Sequence, residues 1–130
     1  MYNIIKVELS PGELIDKITI LEIKLERITE MTKITNIRTE LSLLTKVFTT
    51  KIKVSNKLTS LTLKLKSINE KLWVIEDQIR ECERKNDFGQ NFIDLARSVY
   101  FTNDERSATK REINQLLGSN IVEEKSYSEY

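Results

Sequence analysis

Histidine is absent from this 130-residue chain, and cysteine, proline and tryptophan occur once each. Without imidazole a zinc site is hard to build, and a lone Cys82 excludes an internal disulfide. Three glycines and one proline leave little room for an all-β fold full of tight turns. No apolar run approaches the roughly 20 residues that span a bilayer, and the start, MYNIIKVELS, lacks a charged leader with an apolar core and a small-residue cleavage site. The expectation is a soluble, cytoplasmic protein with no membrane partner, no transition metal and no cofactor.

What is present suits one globular domain over residues 1–130, with 39% hydrophobic and 32% charged residues. A chain of this length buries about two-thirds of its unfolded surface, enough for a core without staples. The net charge of +1 hides an asymmetry. Residues 1–23 hold two basic and four acidic groups, residues 24–71 eleven and four, and residues 72–130 eight and twelve. The middle segment is therefore +7, and no acid lies between Glu40 and Glu70.

Residues 3–9 alternate Ile5, Val7 and Leu9 at period two, which predicts a short strand able to pair with the β-prone tail around Ile121 and Val122. Ser10-Pro11-Gly12-Glu13 then has the form of a capping box with proline at the first helical position, and Leu9 against Leu14 would add a hydrophobic staple. A first helix over about 11–29 follows, with Leu14, Ile18, Leu21, Leu25 and Ile28 at heptad spacing. Ile15, Ile20 and Ile23 lie off that seam, so this helix should meet two neighbours.

The phase slips near residues 30–33. A second helix over about 33–48, capped by Thr32, carries Ile34, Ile37, Leu41, Leu44 and Phe48. The third, over about 57–85, repeats without error through Leu58, Leu61, Leu65, Ile68, Leu72, Ile75, Ile79 and Cys82, and Asn86-Asp87-Phe88-Gly89 ends it. A fourth, over about 91–117, stops at Gly118, leaving a tail over 119–130. The fold class is all-α: an antiparallel bundle of about four helices with heptad seams. Apolar surface around Trp73 and Val74, outside the third seam, suits a second copy, so a homo-oligomer is expected.

The fourth helix carries a conflict. Its seam runs Phe92, Ala96, Val99, Asn103, Arg106, Lys110, Ile113 and Leu117, placing two cations and an amide among apolar positions. An unpaired buried cation costs several kcal/mol, so these heads need carboxylates, water or a bound anion. A cationic layer of this kind suits a dicarboxylate, phosphate or sugar nucleotide, with Arg bidentate and Lys a point charge. Arg97 and Tyr100 lie within two turns of Asn103, Arg80 on the third helix is a further candidate, and Asp16 and Glu22 are natural counter-charges. The bland alternative is structural. Thr102-Asn103-Asp104-Glu105 is itself a capping pattern, and a break at Phe101 would turn the polar layer into an exposed loop. Even in an unbroken helix the long cations can run outward to water.

Lysines 46, 51, 53, 57, 64 and 66 surround the turn between the second and third helices. Lys51, Lys53 and Lys57 would form the tip of any nucleic-acid contact, but the cluster has only Phe48 as an aromatic platform, and a solvated face explains it better. Glu22/Glu26 and Glu76/Asp77 fit exposed helix faces, and Cys82 continues an apolar seam with no base beside it. No residue is assigned a catalytic role.

The stretches "SPGELIDKITILEIK", "ECERKNDFG", "LARSVYFTNDER" and "EEKSY", in that order, resemble a bacterial and phage family known as domain of unknown function 6165 over nearly the whole chain. The resemblance implies no activity. It draws attention to Asp16, Lys17, Glu22, Glu83, Arg97, Tyr100, Asn103, Asp104 and Arg106, which lie in these stretches. A looser likeness to helical chorismate mutases, which hold a dicarboxylate between helices with Arg and Lys, is by analogy alone and motivates the enzyme alternative. Three functions follow in order: a non-enzymatic oligomeric helical module, a small-anion-binding protein or enzyme, and nucleic-acid contact through the lysine tip.

Overall fold

A computed structural model describes residues 3–130 and holds four helices: α1 (Pro11–Arg27), α2 (Met31–Lys51), α3 (Asn56–Arg84) and α4 (Gln90–Leu116). The expected all-α class is correct. The expected strand pairing is not: among the described residues there is no strand, and Ile5 and Val7 are 85% and 74% exposed. Period-two alternation cannot hold a strand whose backbone groups find no partner, and the tail lies along α4 instead. Leu9, the expected staple, is 41% exposed.

Local chemistry explains most helix ends. Ser10 Oγ accepts the Glu13 N–H at 3.2 Å, as a capping residue should. The box is only half made, because the Glu13 carboxylate goes to Lys110 on α4. Ser55 caps α3 in the same way, accepting the Leu58 N–H at 3.1 Å. Thr32 is not a cap. Helix α2 begins two residues earlier than expected, at Met31, with Glu30 in the cap position and no side-chain bond. The fourth helix does not break at Phe101 but runs unbroken to Leu116. There Ser119 N–H reaches Asn114 O and Gly118 N–H reaches Gln115 O, a Schellman closure that needs the positive φ of Gly118 (+66°).

Helices α3 and α4 form a long antiparallel pair. Asn91 meets Cys82 Sγ near the connecting turn, and Ile113 joins the core of Ile15, Leu58, Leu61 and Leu65 at the other end. Helix α3 alone is 29 residues, about 43 Å long. All eight of its apolar repeat positions are buried or half-buried.

Helix α1 runs against α3 from its start: Ile15 packs with Leu58, Leu61 and Leu65, Asp16 and Thr19 meet Asn69, and Glu26 takes Lys66. It packs against all three other helices, one more than the two neighbours expected, which accounts for burial of Leu14, Ile15, Leu21 and Ile23 together. Helix α2 packs along α1 alone and joins the main core only through Phe48 and, just past its end, Ile52.

Candidate functional site

The contact of α1 with the α3–α4 pair is lined by polar groups. It starts at Gly12, whose N–H donates to Asn114 Oδ1 at 2.7 Å. A Cβ on residue 12 would stand 2.6 Å from the Lys110 carbonyl oxygen, so only glycine lets the two backbones approach this closely. With proline at position 11, Gly12 on Asn114 and Glu13 on Ser10, every orphan donor of the first turn is accounted for.

One turn further on, Asp16 is 1% exposed and carries the centre of the network. Arg106 grips it with two bonds, Nε to Oδ1 at 3.0 Å and Nη2 to Oδ2 at 2.5 Å. Asn69 Nδ2 donates to Asp16 Oδ1 at 2.9 Å and to Thr19 Oγ1 at 3.0 Å, and Thr19 donates to the Asp16 carbonyl at 2.8 Å. The bond to Asp16 is the main reason the Arg106 guanidinium is held above its ordinary value. Beside it, Lys110 Nζ sits between Glu13 at 2.9 Å and Glu123 of the tail at 3.0 Å. Burial pushes the Lys110 ammonium down, but its bonds to the two carboxylates outweigh that and leave it raised. Among the described residues no buried side-chain nitrogen or oxygen lacks a hydrogen-bond partner. The layer of cations is real, and carboxylates of the same chain neutralise it.

The tail extends this arrangement along the outer side of α4. Glu124 pairs with Arg111 at 3.5 Å and Lys125 with Asp104 at 2.5 Å. The Tyr130 hydroxyl also donates to Asp104, and its ring packs 4.7 Å from Phe101 and 5.4 Å from Tyr100 between centroids. Lys125 first, then Tyr130, hold the Asp104 carboxyl below its ordinary value. Between α4 and the tail lies an open groove of about 1560 Å³ lined by Tyr100, Asn103, Arg106, Lys110, Tyr127 and Tyr130, among others.

Of the residues singled out from the sequence, Asp16, Arg106 and Lys110 meet in the polar layer, and Tyr100 and Asn103 line the groove beside it. Arg97 stays outside, its guanidinium 5.9 Å from the Phe101 ring centre. Arg80 does not reach in. It is exposed and bound to Glu76 one turn earlier at 3.1 Å. Lys17 is exposed, and Glu22 is half-buried on the side of α1 that faces Lys66. Lys51, Lys53 and Lys57 are exposed around the α2–α3 connection, whereas Lys66 is tied to Glu26 at 2.6 Å. Asn69, Thr19, Glu13 and Glu123 were not foreseen. Asn69 and Thr19 each sit one residue from a seam position, the one signal that marks them.

Among the described residues no group of three or more Cys, Asp or Glu is placed to hold a metal ion, and no helix is long and apolar enough to cross a membrane. Fold and site together define an all-helical protein with a polar layer between α1 and the α3–α4 pair, closed by its own charges. The chain belongs to the DUF6165 family, a family of unknown function whose model matches residues 5–130. No curated protein and no solved structure matches it.

Proposed function

We propose that this protein is a non-enzymatic helical interaction module that assembles with copies of itself. The observation that carries this reading is the state of α2. Of its five apolar repeat positions, Ile34, Ile37, Leu41, Leu44 and Phe48, only Ile37 is buried and only Phe48 reaches the main core, and the helix packs along α1 alone. On the other side of the same helix Leu43 and Val47, one turn apart, are 59% and 46% exposed, and Leu63 on α3 is 64% exposed. A 21-residue helix with wet apolar positions on two sides is a helix with room for a partner.

A second copy is the occupant that the charge distribution favours. Residues 24–71, which include α2 and its lysines, are +7 (eleven basic, four acidic), and residues 72–130 are −4 (eight basic, twelve acidic). Sedimentation of the full chain over a range of concentrations tests this. Oligomers should form, and Leu43→Lys should shift them toward monomer with the helical content unchanged. A strictly monomeric chain would sink the reading.

One observation supports a second reading, a small anionic ligand: Tyr100, Asn103, Arg106 and Lys110 line one groove. Such a ligand must replace Glu123 on Lys110. Dicarboxylates, phosphates and sugar nucleotides are screened by thermal shift on the full chain and on Arg106→Ala. Equal shifts in both, or none in the first, remove it.

A further inference from the structure

Residues 119–130 form a strap with an unusual kind of attachment. Residues 121–130 are exposed throughout and belong to no helix or strand. Their hold on α4 comes from side chains: Glu123 on Lys110, Glu124 on Arg111, Lys125 and Tyr130 on Asp104, and the Tyr130 ring on Tyr100 and Phe101. The strap leaves α4 through Gly118, at φ +66° and with no atom within 4 Å of where a Cβ would stand. A segment held by side-chain ion pairs, with Lys110 their one buried member, and one aromatic cluster, on a glycine pivot, opens at lower cost than a packed helix.

We propose that the strap is exchanged between copies, so that residues 119–130 of one chain dock on the α4 face of a second. Every contact just named is between the strap and α4, so an exchanged strap makes the same set with no new complementarity required. The chemistry is also self-specifying. A docking segment must present acids to Lys110 and Arg111, a cation and a hydroxyl to Asp104, and an aromatic ring to Tyr100 and Phe101, all in one register. The strap of another copy meets all of these. Closed and exchanged forms share their contacts, so the balance follows the protein concentration against the effective concentration of a strap on its own chain. This inference rests on the self-assembly reading but assigns a surface separate from α2.

Two full-length variants test it, Asp104→Lys and Lys125→Asp. In each alone, position 104 and position 125 carry like charges, whether the strap is closed or exchanged between identical copies. In a mixture, exchange restores opposite charges at both junctions of a mixed dimer. One variant is isotopically labelled and the mixture is weighed by native mass spectrometry. Mixed dimers should exceed the share that random pairing gives, and the double variant carrying both changes should return to wild-type behaviour. A random share of mixed dimers that still dissociate with Leu43→Lys would overturn strap exchange and leave the α2 reading standing. Monomers in every sample would overturn both. Circular dichroism on each variant establishes that it is folded, and the double variant keeps the comparison decisive if either single change lowers stability.

Discussion

Asp16 on α1 and Arg106 on α4 are ninety residues apart in sequence and joined by two hydrogen bonds, with Asp16 nearly inaccessible to water. The pair ties α1 to α4, and Asn69 adds α3 at the same carboxylate. Removing one member of such a pair leaves an uncompensated charge and is far costlier than replacing both. Arg106→Leu should lower stability by about 3–5 kcal/mol, and Asp16→Leu by a similar amount. The double change should cost less than the sum of the two, because neither charge is then left alone. Urea unfolding of the three variants measures this, and additive costs would show that the two residues act independently.

Gly12→Ala should destabilise by about 1–3 kcal/mol, since its methyl group meets a backbone carbonyl of α4 that cannot rotate away. Gly118→Ala makes a useful contrast. Its surroundings are open, and its cost is the left-handed backbone alone, about 1 kcal/mol. Thermal unfolding separates the two. If position 12 tolerates alanine better than position 118, the close approach of α1 to α4 is not a constraint.

These two sites show what was legible in the sequence. Ser10-Pro11-Gly12-Glu13 reads correctly as a helix start because capping is local, and the apolar repeats place four helices within a few residues of their bounds. Two of the four, Gly12 and Glu13, also hold α4, and no local signal reveals that. Glu13 already had a sufficient role as a cap partner, so its bond to Lys110 was hidden. Arg106 and Lys110 are legible because cations in an apolar repeat demand partners, and Asp16 is a natural counter-charge for them. Glu123 was hidden because it lies in an irregular tail whose path depends on Gly118 and on α4 as a whole. The close approach of α1 to α4 was not readable either. Heptad spacing tells which positions are covered, not which backbones come close, as Gly12 does to Lys110.

The strap should be held over a window of pH and released on both sides of it. Lys125 and then Tyr130 keep the Asp104 carboxyl below its ordinary 3.8. Its contribution is therefore complete above pH 3.8 and is lost as the pH falls through the lower, folded value. Bonding to Asp104 raises the Tyr130 hydroxyl above its ordinary 10.0. That contribution is complete below pH 10.0 and disappears as the pH rises through the higher value. The Tyr130 ring resonances should report release at both limits in a pH titration by nuclear magnetic resonance. Asp104→Asn should abolish the acid limb, and an unchanged acid limb in that variant would assign it to another carboxylate.

Two apolar residues on α2 should separate folding from assembly. Ile37 is 9% exposed and is the one buried position on that helix, so Ile37→Ala should cost about 2–4 kcal/mol by loss of contacts and creation of a cavity. Leu43 is 59% exposed, and Leu43→Ala should change the stability of the dilute protein by less than about 0.5 kcal/mol. Their order reverses for association. If Leu43 lies against a second copy, its truncation weakens the oligomer and removes the concentration dependence of the unfolding midpoint, because partner binding stabilises the folded state by mass action. Ile37→Ala lowers that midpoint at every concentration but leaves its dependence on concentration in place. Unfolding curves for both variants, recorded across a dilution series, distinguish the two roles. A Leu43→Ala protein whose midpoint still rises with concentration as steeply as the parent would place the contact between copies elsewhere on the surface.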